Sequence, residues 1–280
     1  MKQGVIAPPH VIQDLCEFLN LGSAGFTLPS ASAGVMLLLL EHKERFDDRE
    51  LEALFPWSEE DLQRICSFTH REARTSWCFS RFLARHALAS VTGLDPRQLT
   101  FGSGPFGKPF LLDNYIRFNW SHTPGCVVLA LAFGNPFGGG FGGTNGDLGC
   151  DVEDTCKAVI DFGSLAYSLY SDAEREWLEA VPDPRTNRVR FLALYVQKEA
   201  RLKASGTGIG LGKKLADVRA FMRDPPFREG DLACFRHGKP RDDSGSGAGD
   251  ERGRYMVALC APAIGDAPLT LRTHHFGDAS

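Results

Sequence analysis

A glycine-rich stretch, Gly138-Gly-Gly-Phe-Gly-Gly-Thr-Asn-Gly146, interrupts the chain near its middle and constrains what it can become. Glycine loses more backbone freedom on ordering than any other residue, so such a stretch reads as a connector or hinge rather than as helix or strand. The patterned sequence therefore falls into two halves. A length of 280 residues suits that division, because single cores stop growing as chains approach this size.

Each half shows strands and helices in a similar coarse order. In the first, the apolar run Gly34-Val-Met-Leu-Leu-Leu-Leu-Glu41 reads as a strand, and Ser58-Glu-Glu-Asp-Leu62 supplies a cap ahead of helical periodicity. A longer helix is predicted around Trp77 to Val91 and ended by Gly93-Leu-Asp-Pro96, with short strands at 99–101, 109–112, 116–120 and 126–133 after it. In the second, a strand over 148–152 precedes helical segments from Phe162 to Ala180, a helix from Asn187 to Lys203, and strands near Phe235 and over 256–261. The fold class expected is α+β, with two similar lobes in a pseudo-twofold arrangement. Their bounds are 1–33 for an N-terminal extension, 34–146 for the first lobe and 147–280 for the second. Asp242-Asp-Ser-Gly-Ser-Gly-Ala-Gly-Asp250 is too polar and glycine-rich to be anything but loop.

The composition excludes several functions. A net charge of −4, from 31 basic and 35 acidic residues, offers no global attraction to nucleic acid or to an anionic membrane surface. The apolar run Gly34 to Leu40 is far shorter than the ~20 residues of a spanning helix, and no basic, apolar and cleavage segments open the chain. A cytoplasmic protein is expected, with eight scattered cysteines that stay reduced.

Several groups are candidates for chemistry. Asp151 and Glu153 alternate on a strand and so project to one side, where a hard cation would relieve their repulsion. Glu199 and Lys203 lie four apart on the predicted helix and share a face. Ser205-Gly-Thr-Gly-Ile-Gly-Leu-Gly212 follows, a loop whose backbone can approach a ligand closely. Gly107-Lys108-Pro109 puts a lysine in a turn, and Phe118-Asn-Trp-Ser-His-Thr123 puts Ser121 and His122 where a strand is expected to break; all three can donate to phosphate. Arg71, Arg74, Arg81 and Arg85 form a basic stripe. Taken singly, the ordinary reading of each is a solvated surface group or a surface pair worth a few tenths of a kcal/mol.

Taken in order, these pieces resemble the 4′-phosphopantetheinyl transferases, in particular the two-lobed monomeric type that activates peptide and siderophore synthetases. The resemblance rests on Gly107-Lys-Pro109, Phe118-Asn-Trp-Ser-His122, Gly149-Cys-Asp-Val-Glu153 and Lys198-Glu199 with Lys203, and it covers about Gly34 to Ala261. The chain departs from the family in Tyr195, where Trp is usual, in Val196, in the glycine-rich insertion and in the N-terminal extension.

The resemblance implies an enzyme, a Mg²⁺-dependent holo-[carrier protein] synthase, with Mn²⁺ as the alternative metal and coenzyme A as substrate. It would transfer phosphopantetheine to a serine of an apo acyl or peptidyl carrier protein, as a monomer, and release 3′,5′-ADP. It implies Asp151, Glu153 and Glu199 as metal ligands, Glu199 and Lys203 as catalytic groups, and Lys108, Pro109, Asn119, Ser121, His122, Lys203, Arg71, Arg74 and Arg81 as coenzyme A contacts. Two other readings remain open at this point: a metal-dependent nucleotide phosphohydrolase with water as acceptor, and a non-catalytic coenzyme A-binding module.

Overall fold

The computed structural model describes residues 34–42, 46–47, 49, 51, 55, 57–112, 116–133, 148–156, 162–207, 215–238, 254–261 and 269–276. The N-terminal extension, the glycine-rich connector, most of the loop after Ser205 and the acidic loop at 242–250 lie outside these residues.

The chain adopts the expected α+β class. One four-stranded sheet has the order β10-β1-β5-β4, formed by Leu269–Phe276, Gly34–His42, Cys126–Phe133 and Arg117–Thr123. A second has the order β6-β9-β8-β7, formed by Gly149–Asp154, Tyr255–Cys260, Leu232–His237 and Phe227–Glu229. A two-stranded hairpin joins β2 (Phe101–Ser103) to β3 (Pro109–Leu111). The helices are α1 (Glu59–Cys66), α2 (Arg71–Thr92), α3 (Phe162–Leu169), α4 (Asp172–Glu179) and α5 (Pro184–Ser205).

Strand alternation explains how these pieces layer. Along β1, Met36, Leu38 and Leu40 pack with Phe79, Phe82 and Leu83 of α2, while Val35, Leu37 and Leu39 pack with Val152, Val257 and Leu259 of the second sheet. A strand buried on both faces must be apolar at every position, which is why β1 reads as an unbroken run. Along β9, Val257 and Leu259 meet the first sheet, whereas Met256, Ala258 and Cys260 meet Phe191, Leu194 and Val196 of α5. The order of layers is therefore α2, sheet, sheet, α5.

Local signals set the ends of the elements. Gly93 and Gly206 close α2 and α5 in the left-handed conformation, at φ 73° and 66°. Asp183 caps the start of α5, accepting from the amide of Thr186 at 3.0 Å, with Pro184 in the first turn where its missing N–H costs nothing.

Two expectations need correction. Ser121 and His122 do not mark a strand break, because β4 continues to Thr123 and turns through Pro124-Gly125 into β5, with Gly125 at φ 81°. The short strand β7 and the last strand β10 were not anticipated, and β10 pairs parallel to β1, Leu38 opposite Arg272. That pairing carries the end of the chain back to the first sheet, and element order gives no hint of it.

Candidate functional site

The site grows from two edge strands. β4 ends one side of the first sheet and β6 one side of the second, and they run against each other. On β4, Phe118 and Trp120 stack at 5.5 Å and face the core beneath α2. The intervening Asn119 and Ser121 face β6 instead. Asn119 Oδ1 accepts the Cys150 amide at 2.9 Å, and the Cys150 thiol donates to the Asn119 carbonyl at 3.2 Å, so the pair clips the two sheets together. Burial pushes the Cys150 thiol up to about 12, which keeps it protonated as a donor.

One step along, Ser121 donates to Asp151 Oδ1 at 2.8 Å. Helix α5 supplies the third wall. Tyr195, Glu199 and Lys203 recur every four residues and so form one stripe. The Lys203 ammonium donates to Asp151 Oδ1 at 2.6 Å and to Ser121 Oγ at 2.7 Å. These groups, with Trp120, His122 and Glu153, line a pocket of about 320 Å³.

Gly149 makes the close approach of β6 to α5 possible. A Cβ there would stand 2.0 Å from the Ala200 carbonyl oxygen and 2.4 Å from the Ala204 amide. Only glycine fits that contact, and it places Asp151 within reach of Lys203.

The pocket is electrostatically unbalanced. Burial and the neighbouring Asp151 charge push the Glu199 carboxyl above the ordinary carboxylate range, with Lys203 opposing. Burial disfavours the Lys203 ammonium, but Asp151 outweighs it and holds the lysine above its usual value. Burial, then Glu199, Glu153 and Asp151, raise the Tyr195 phenol, which stays protonated at any physiological pH.

Among the described residues, no three His, Cys, Asp or Glu side chains stand preassembled as a metal cluster. The donor set nevertheless fits a hard divalent cation. Asp151 Oδ2 and Glu199 Oε1 are buried atoms that accept no hydrogen bond, and they line the same pocket as Glu153. Unpaired buried oxygens are costly, and a small cation that takes carboxylates and water is a fitting partner for them.

The remaining sequence candidates lie elsewhere. Lys108 donates to the carbonyls of Leu148 at 3.1 Å and Ala204 at 2.9 Å, bolting the β2–β3 turn to the start of β6 and the end of α5. Pro109 opens β3, outside the pocket lining. Lys198, adjacent to Glu199, is fully buried and pairs with Glu174 at 2.9 Å. Arg81 contacts Asp61 at 3.3 Å and lies over the Phe101 ring, and Arg85 donates to the carbonyls of Pro96 and Leu99. Neither these two arginines nor Arg71 and Arg74 line the pocket. Trp120 and Tyr195 were not among the candidates, although the spacing of Tyr195 four residues before Glu199 was a usable signal.

Residues 147–260 match the family model of the 4′-phosphopantetheinyl transferase superfamily. That segment carries Asp151, Glu153, Glu199 and Lys203, the acidic and basic groups of the pocket. The chain is also similar to a 4′-phosphopantetheinyl transferase of Bacillus subtilis, 29% identical over 223 residues, which is 77% of this chain and 85% of the relative. A further relative is an L-aminoadipate-semialdehyde dehydrogenase-phosphopantetheinyl transferase of Saccharomyces cerevisiae, 28% identical over 205 residues and covering 72% of each chain. Both similarities extend beyond the 114 or so residues that the superfamily segment alone would supply.

Proposed function

We propose that this chain transfers the 4′-phosphopantetheine of coenzyme A to a serine of an apo carrier protein, releasing 3′,5′-ADP, with a divalent metal, Mg²⁺ or Mn²⁺, as cofactor. The observation that carries this reading is the meeting of Asp151, Glu153, Glu199 and Lys203 in one pocket with Ser121 and His122, in a chain whose residues 147–260 match the superfamily model. Two α+β lobes, 34–146 and 147–280, remain our division of the chain, with β10 returned to the first sheet. Action in the cytoplasm and as a monomer belongs to the same proposal. Among the described residues no helix is long and apolar enough to cross a membrane.

The chemistry follows from the groups in place. Asp151, Glu153 and Glu199 would hold the metal, which supplies positive charge against the diphosphate and its leaving group. Lys203 adds an ammonium at the same spot, and Ser121 and His122 offer donors to phosphate oxygens. The carrier serine oxygen forms a bond to phosphorus as the bond from phosphorus to the 3′,5′-ADP oxygen breaks. Glu199, beside Asp151 and Lys203 in the pocket lining, would take the serine proton. Burial and the Asp151 charge raise its pKa, with Lys203 opposing, which makes it a stronger base than an exposed carboxylate. Arg71, Arg74, Arg81, Lys108, Pro109 and Asn119 are proposed as coenzyme A contacts only through the resemblance. For Lys108, Arg81 and Asn119 the geometry favours a supporting role.

The test is incubation with coenzyme A, Mg²⁺ and an apo carrier protein, followed by mass measurement of the carrier. A gain of one phosphopantetheine is expected. Cleavage of coenzyme A at equal rate without any carrier would replace transfer by hydrolysis, and binding with neither reaction would leave a coenzyme A-binding module.

A further inference from the structure

Lys203, proposed above to serve phosphate, is already engaged by protein groups. Its Nζ lies 2.6 Å from Asp151 Oδ1 and 2.7 Å from Ser121 Oγ, and Ser121 in turn donates to the same carboxylate oxygen at 2.8 Å. The three atoms close a triangle in which Oδ1 takes two donors while Oδ2, buried, takes none. Lys203 occupies the last turn of α5, where the helix macrodipole favours a cation, and Gly206 fixes the end of that helix. Glu153 and Glu199 complete the wall, so three carboxylates face one ammonium.

We propose that Lys203 is the resident counter-ion of Asp151 and competes with the divalent metal for that carboxylate, so that deleting the ammonium tightens metal binding. This rests on the metal reading of the pocket given above. Two cations that share one carboxylate repel each other, and the repulsion is strong where few waters screen it. A diphosphate ligand would relieve the conflict by drawing the ammonium to its own oxygens. The metal and the anionic substrate then reinforce each other's binding, and Lys203 is the element through which they are coupled. The opposite arrangement, a lysine that only props Asp151 in a metal-ready position, makes the contrary prediction: its removal weakens the metal. The sign of the change separates the two.

The experiment measures Mn²⁺ binding by electron paramagnetic resonance on the whole chain, without coenzyme A, for wild type, Lys203→Met, Lys203→Gln and Lys203→Arg. Affinity is expected to rise at least about tenfold in the Met and Gln variants and to stay within about threefold of wild type in the Arg variant, which keeps the charge. Adding Asp151→Asn to Lys203→Met should remove the gain, placing it at this carboxylate. A matching rise of melting temperature on Mn²⁺ addition gives a second readout that requires a folded variant. Unchanged or weaker binding in the two neutral variants, or no binding in any of them, overturns the inference. Carrier modification by the wild type is scored separately. A chain that shows the tightening but modifies no carrier retains this inference and loses the function proposed above.

Discussion

Asp151 divides its two oxygens between tasks, Oδ1 held by Lys203 and Ser121 and Oδ2 left bare beside the bare Oε1 of Glu199. Removing either carboxylate should therefore remove function without removing the fold. Asp151→Ala and Glu199→Gln are each expected to lower the transfer rate by about a hundredfold or more, as loss of a charge-stabilising group at a reacting centre does. Glu199→Gln should also raise the melting temperature. Burial and Asp151 both disfavour the ionised carboxyl, so a neutral amide relieves repulsion that the native side chain endures. Transfer assays paired with thermal melts of both variants check this, and a Glu199→Gln protein that melts below wild type would contradict it. At this scale much was legible from the sequence. The i,i+4 spacing of Glu199 and Lys203 and the alternation of Asp151 and Glu153 give shared faces directly. The partner of each charge was not legible, since Arg81 and Arg85 meet Asp61 and two carbonyls that lie far from them in sequence.

The elements hold these side chains in register through two contacts that no periodicity predicts. At Gly149, β6 touches the backbone of α5, and Lys108 ties both elements to the β2–β3 turn. Gly149→Ala forces a methyl to within 2.0 Å of a carbonyl oxygen that belongs to a helix backbone and cannot turn aside. The expected loss is about 1–3 kcal/mol in urea unfolding, together with loss of transfer as Asp151 moves from Lys203. Lys108→Met should cost about 1–3 kcal/mol, because the carbonyls of Leu148 and Ala204 lose a charged donor. If Lys108 instead served only coenzyme A, its urea midpoint would not move while the affinity for coenzyme A fell. The extents of β1 and β5 were readable because both are apolar runs bounded by glycine or turn residues. Helix α5 begins at Pro184 rather than at Asn187, because Asp183 is the residue that accepts the free amides.

Over the whole molecule, two sheets are packed face to face and covered by α2 and α5, and on α2 a histidine folds into apolar surroundings. The α+β class follows from alternating patterns that the sequence displays; the pairing of β10 with β1 does not, since strands distant in the chain choose partners by the shape of the assembled sheet. His86 on α2 packs edge-on against Phe55 and Phe82, and burial pushes its pKa down to about 4, with Asp95 opposing. Its unfolded value is 6.5, so the folded state binds fewer protons between those two values and stability falls as pH drops through that window. Above pH 6.5 the contribution is fully present, and by about pH 4 it is gone. Replacing His86 by Phe keeps an aromatic ring in the same apolar slot and deletes the proton site. Urea midpoints measured from pH 7.5 down to pH 4 should then fall less steeply for His86→Phe than for wild type, with the curves converging above pH 6.5 apart from a constant offset from packing. Parallel curves across the whole range would show that the acid sensitivity of the fold lies elsewhere than at this helix.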